Sequence, residues 1–197
     1  MDQPFLKLTE MLFIRAEGAL RGWNMGGTAQ ELYEEGIRTC FEQYGLGDRV
    51  DAYLAQEELP AVKYIDYYDS ENNCDGRVSI GVKWNEADEK ELKLEKIITQ
   101  KWIAVFPLSA EAWTTFRRTG YPRIFPVRYN NLDKVDIEMQ IRRMNFTETE
   151  NNGTSIAQIL ELMGGSQTCG DRVFWDVNSV NWTKDADGRY VPYNYLP

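Results

Sequence analysis

Apolar residues recur along the first fifty positions at the three- and four-residue spacing of a helix. Leu8, Met11, Leu12, Ala16, Ala19, Leu20 and Trp23 predict a helix over 5–23. Gly26 and Gly27 break that pattern, and Thr28 stands where the next helix needs a cap. The second helix, 29–44, aligns Ala29, Leu32, Tyr33, Gly36, Ile37, Cys40, Phe41 and Tyr44 on one stripe. Small and large side chains alternate along it, which suits two closely packed antiparallel helices. A short helix with Val50, Tyr53 and Leu54 follows.

After Pro60 the period shortens to two. The runs VKYIDYY and RVSIGVKW flank DSENNCDG, and Val78, Ile80, Val82 and Trp84 alternate with small or polar residues, so a hairpin is expected. NEADEKELKLEKIITQKW returns to helical spacing. Its acidic first half matches the positive end of a helix dipole, and Leu94, Ile97, Ile98, Trp102 and Val105 form its apolar face. Pro107 stops this helix, Ser109 caps AEAWTTFRRTG, and Gly120 closes that one. Trp102, Phe106, Trp113 and Phe116 read as core between these two helices, with Arg117 and Arg118 holding carboxylates or helix ends. KVDIEMQIRR alternates strictly and predicts a strand; TETENNG reads as a polar loop. Thr154 or Ser155 then caps a helix through Met163, ended by Gly164 and Gly165, and an aromatic, irregular tail follows.

The expected fold is therefore mainly α. A tetratricopeptide-like helix pair leads, followed by helices, a β-hairpin and irregular C-terminal elements. One domain over 1–197 is expected, with helices in 1–58, a hairpin insertion at 59–88, and helices, strand and tail in 89–197. A helix pair of this type cannot bury both faces alone and normally stacks on neighbours. No second copy of it occurs in the chain, so its outer surface within 5–45 is expected to be sticky.

Composition narrows the function. The net charge of −9 and pI near 4.7 argue against nucleic-acid binding, which requires clustered Lys and Arg. The chain has no histidine, which removes Ser-His-Asp and Cys-His catalysis and two-His zinc sites. The three cysteines form no C-x-x-C pair; Cys40 falls on a helical stripe, and a Cys74–Cys169 disulfide is possible. Glu71, Asn73, Asp75 and Gly76 loosely resemble the start of a calcium loop, but Val82 stands where the closing acid belongs. No cofactor or metal is expected. No apolar run is long enough to span a membrane, and the residues after Met1 lack the pattern of a signal peptide. Carboxylates number 31, so a carboxylate-based glycoside hydrolase remains an alternative, although no catalytic pair stands out.

LFIRAEGALRGW (12–23), AQELYEEGIRTCFEQYG (29–45), LEKIITQKWIAVFP with EAWTTFRRTGYP (94–122) and RVFWD (172–176) occur in order. Together they resemble the C-terminal portion of the SusD/RagB family of Bacteroidetes outer-membrane lipoproteins. The resemblance covers most of the chain and is weakest over 60–90 and after Asp176. It implies a non-enzymatic glycan- or nutrient-binding protein at the cell surface, partnered with a TonB-dependent outer-membrane transporter. Membrane contact would come only through an N-terminal lipid absent from this chain. A protein-interaction scaffold of the tetratricopeptide type is the alternative. Sugar binding needs exposed aromatic faces beside planar polar groups, and the hairpin supplies them: Tyr64, Tyr67, Tyr68, Asn72, Asn73 and Trp84 are the candidate ligand-binding residues.

Overall fold

The computed structural model describes residues 5–60, 62–130, 134–137, 140–163 and 167–171, together with the backbone of 182–184 and 190–192. The protein is mainly helical. Contacts gather into two compact units, Met1–Val62 with Arg77–Ile124, and Lys63–Gly76 with Phe125–Tyr193. The segment expected as an insertion at 59–88 is thus divided, and only its tip, 63–76, joins the second unit.

In the first unit, α1 (Leu8–Leu20) packs on α2 (Ala29–Gln43). Thr28 caps α2 as expected: its hydroxyl accepts the Glu31 N–H, and the Glu31 carboxylate accepts from the Thr28 N–H in return. Gly36 is what brings the two helices close, since a Cβ there would lie 2.9 Å from the Phe13 ring. A 3₁₀ turn (Gly47–Arg49) leads into α3 (Val50–Leu54). Leu12, Phe13, Leu32, Tyr33, Ile37 and Ile97 form the centre of the core. Trp84 enters this core beside Tyr33, with ring centroids 5.2 Å apart, and the Tyr33 hydroxyl donates to the Val82 carbonyl at 2.7 Å. Burial pushes the Tyr33 phenol far above its ordinary pKa, so it stays a neutral donor.

Helix α4 (Lys90–Ala104) is the central element of this unit, with every residue from 93 to 101 buried. A helix so enclosed must partner its polar side chains. Lys101 does so through Glu111 at 2.6 Å and Thr115 at 3.1 Å, both on α5 (Ser109–Thr119), with Glu10 of α1 at 3.8 Å. Glu95 takes Arg123 at 3.1 Å. From α1's first turn, Lys7 donates to the carbonyls of Ala104 and Phe106, capping the end of α4. Arg118 grips Glu17 through two 2.6 Å bonds, and Arg21 adds two more at 2.8 and 3.2 Å. The Arg pair was expected to hold carboxylates or helix ends: Arg118 holds a carboxylate, and Arg117, in the last turn of α5, lies over the Trp113 ring at 4.7 Å.

The expected aromatic core at the α4–α5 joint is corrected. Phe116 is buried, but Trp102 is only half-buried, and Phe106 and Trp113 are exposed. Phe106 falls just beyond the last turn of α4. Trp113 takes an outward position on α5, where Arg117 covers one face. Helical spacing alone did not reveal that α4 is enclosed mainly by α1, α5 and the 82–84 segment.

In the second unit, β1 (Lys63–Tyr64) pairs antiparallel with β2 (Cys74–Asp75), in the register Lys63↔Asp75 and Tyr64↔Cys74. The hairpin exists, but its second arm is not RVSIGVKW. That run leaves the hairpin and passes along 56–58 in the first unit, joined by a Glu58↔Ile80 bridge and by Val82 and Lys83 N–H groups on the Gln56 carbonyl. The expected strand KVDIEMQIRR is also corrected. Asp136 and Gln140 bridge each other and Gln140 takes φ 55, so the chain turns back within it. Arg142 and Arg143 then donate backbone N–H groups to the Cys169 carbonyl. TETENNG forms a short helix, α6 (Glu148–Asn151), with Thr147 and Glu150 capping each other. Helix α7 (Ile156–Leu162) follows, and β3 (Trp182–Lys184) pairs with β4 (Tyr190–Pro192). Gly164, Gly165, Met139 and RVFWD lie outside the described residues. All three cysteines are free thiols, so the possible Cys74–Cys169 disulfide does not form.

Candidate functional site

Asp66 organises the hairpin loop. Its Oδ1 accepts the backbone N–H groups of Tyr68 at 2.8 Å and Asp69 at 2.9 Å, and its own N–H donates to the Asn73 side chain at 2.7 Å. Those backbone donors hold the Asp66 carboxyl below its ordinary pKa, so it stands ionised at neutral pH. Its other oxygen accepts the Tyr64 hydroxyl at 3.0 Å, and this bond raises the Tyr64 pKa. A tight Asx-type loop is therefore built around one carboxylate, with Tyr64 anchored at its root.

Beside it lies a groove of about 320 Å³ in the second unit. Tyr64, Phe125 and Tyr129 supply its aromatic wall, and the Tyr64 and Phe125 ring centroids are 5.9 Å apart. Asp66, Asn72 and Arg128 supply its polar lining. The volume falls within the ~300–1,000 Å³ of small-molecule sites, and a few fixed polar groups on a largely apolar wall is the usual composition of such sites. Aromatic faces pack against the C–H face of a sugar ring, while a carboxylate, an amide and a guanidinium pair its hydroxyls. Asp66 is the single carboxylate among the described residues that line the groove. Hydrolysis of a glycosidic bond ordinarily needs two.

The six residues singled out from the sequence are not brought together as a set. Tyr64 and Asn72 line the groove. Asn73 is used to hold the Asp66 backbone. Tyr67 and Tyr68 stand at the loop tip, 91% and 93% exposed, with rings edge-on at 5.1 Å. Trp84 belongs to the other unit, only 7% exposed, with its indole N–H on Glu86 at 2.8 Å. Phe125, Arg128 and Tyr129 went unnoticed. Their signal was RIFPVRYN, a segment without helical or strand period that nonetheless carries two aromatics and two cations around Pro126. Among the described residues no group of three or more acidic or cysteine side chains converges as a metal site would require.

The family model described as SusD-like, SusD and RagB outer membrane lipoprotein, matches residues 2–176. This chain belongs to the SusD-like family. Solved SusD-like structures agree in fold. A chitin-binding SusD homologue from Flavobacterium johnsoniae is 46% identical with a TM-score of 0.73, the match covering 89% of this chain and 37% of that one. A SusD-like protein from Bacteroides thetaiotaomicron is 37% identical with a TM-score of 0.73, over 96% of this chain and 39% of that one. A SusD homologue from Bacteroides uniformis is 39% identical with a TM-score of 0.69, over 88% of this chain and 37% of that one. The chain thus spans under two fifths of the length of these SusD-like relatives. No curated protein sequence matches it.

Proposed function

We propose that this chain is part of a non-catalytic glycan-binding SusD-like protein, held at the outer-membrane surface by an N-terminal lipid and passing its ligand to a TonB-dependent transporter. The observation carrying this reading is the groove in which Tyr64, Phe125 and Tyr129 stand beside Asp66, Asn72 and Arg128. The chitin-binding homologue at 46% identity makes oligomers of N-acetylglucosamine the first ligand to test. Tyr67 and Tyr68, at the exposed loop tip, would extend the contact to a second sugar ring. Calorimetric titration with chitotetraose, with maltotetraose as comparison, tests the proposal. Tyr129→Ala and Phe125→Ala are each expected to weaken binding about tenfold, the loss of one ~1.4 kcal/mol anchor. Unchanged affinity in both variants overturns the groove as the site, and release of shorter sugars during titration overturns the non-catalytic reading.

The interaction-scaffold reading keeps one observation in its favour. Leu8, Met11 and Ile14 are exposed on α1, and Phe5 is exposed just before it. Leu8→Glu with Met11→Glu would lower docking to a protein partner under that reading while leaving glycan affinity unchanged.

A further inference from the structure

The first unit holds a larger depression that the groove does not use. Its walls are two chain segments pressed unusually close. The Gln56 carbonyl accepts the N–H groups of Val82 and Lys83, both at 2.8 Å. At Gly81 a Cβ would stand 1.8 Å from the Glu57 carbonyl oxygen, so the approach demands glycine. The opposite wall is Leu92 and Lys96, one turn apart on α4, with Asp88 on the bend just before that helix. Between them lies a cleft of about 620 Å³, also lined by Ser79, Ile80, Trp84 and Asn85.

Charge in this cleft is nearly balanced. Lys96 lies at its edge as a buried pair with Asp88 at 2.6 Å, with side-chain exposures of 7% and 14%, and Lys96 also donates to the Lys83 carbonyl at 2.7 Å. Lys83 pairs with Glu57 at 2.5 Å. Glu58 leaves the lining with one more carboxylate than ammonium, which disfavours anions. An ammonium has three N–H groups and a carboxylate about four acceptor positions. The Lys96–Asp88 pair therefore retains one donor and several acceptors beyond the bonds it makes. A hydroxyl both donates and accepts, and it can satisfy the two at once without carrying charge into a partly desolvated site.

We propose that this cleft is a second small-molecule site, separate from the aromatic groove, taking a neutral, hydroxyl-rich ligand of one or two sugar rings. Asp88 and Lys96 pair a hydroxyl, Ser79 borders the mouth, and Ile80 and Leu92 meet the apolar face of the ring. Binding is read from the indole ¹H–¹⁵N resonance of Trp84 on the cleft wall, assigned with Trp84→Phe. Glucose, N-acetylglucosamine, maltose and glucuronate serve as probes.

The expected result is a saturable shift of that resonance with at least one neutral sugar, and at least tenfold weaker binding of glucuronate. Ser79→Trp, a filling substitution at an exposed position, abolishes the shift. Asp88→Asn weakens it about tenfold, and Tyr129→Ala in the other unit leaves it intact. A Trp84 resonance unmoved by every neutral probe overturns the proposal. So does a shift that survives Ser79→Trp, one that disappears in Tyr129→Ala, or glucuronate binding as tightly as glucose. Loss of chitotetraose binding in the groove variants, with the Trp84 response retained, separates the two sites.

Discussion

At the scale of single residues, the first unit is held by carboxylates whose protonation has opposing consequences. Burial pushes Glu17 up, but the bonds from Arg118 and Arg21 outweigh it and leave its pKa below the ordinary 4.5. As pH falls, the unfolded chain takes up this proton first. The contribution of Glu17 to stability is therefore complete above about pH 4.5 and is lost below it. Glu17→Gln is expected to cost about 1.5–3 kcal/mol at pH 7 in urea unfolding, the range for hydrogen bonds to charged groups, with the deficit narrowing steadily towards pH 3. Glu10 runs the other way. Burial raises its pKa against the pull of Lys101, so its charged form costs stability as pH rises past 4.5. Glu10→Gln should consequently be close to neutral at pH 7 by the same measurement. Gly81→Ala places a methyl group on the Glu57 carbonyl, and a loss of about 3 kcal/mol with disordering of the 79–84 amide signals is expected.

At the scale of elements, α1 and α2 were legible because two turns of signals agreed. The apolar stripe gave the faces, and Thr28 with Glu31 gave the start. Gly36→Ala tests the packing: its Cβ would press on Phe13, and about 1–3 kcal/mol should be lost in thermal or urea unfolding. The same T-x-x-E pattern stands at Thr147 and Glu150, inside a polar run with no apolar stripe to mark a helix. Alternation misled at 134–143. Ile137 and Ile141 are 42% and 39% exposed, so the period-2 pattern there faces no buried sheet, and the chain turns at Gln140 despite the positive φ this demands of a non-glycine residue. It misled again at 78–84, where Val82 and Trp84 are buried because the segment docks on 56–58 and Tyr33, a tertiary event without a local sign. The groove was half legible for a related reason. Tyr64 and Asn72 sit in a recognisable hairpin, while Phe125 and Tyr129 reach it from a segment 60 residues later that has no period at all.

At the scale of the whole molecule, membership of the SusD-like family was legible from widely separated segments in order, and no described residue of those segments lines the groove. Of the aromatics in those segments, Phe13, Tyr33, Phe116 and Tyr121 are buried packing residues, while Trp23, Tyr44, Phe106 and Trp113 are exposed. On α1 Leu8, Met11 and Ile14 are exposed, with Phe5 exposed just before it, and apolar residues grouped in this way mark an interaction surface. Concentration-dependent self-association is expected in light scattering, and Leu8→Glu with Met11→Glu should abolish it without changing the helical circular dichroism. A monomer at every concentration would contradict this.

The first unit is interrupted: its chain departs after Val62 and resumes at Arg77. A protease nick between Tyr67 and Tyr68 would therefore leave α1 and α2 on one fragment and α4 and α5 on the other. What remains across the cut is the Ile97 core, the Lys7 cap on α4 and the Arg118–Glu17 grip. The two halves should co-elute after nicking and reassemble when expressed separately, making this stretch a natural seam for a split reporter.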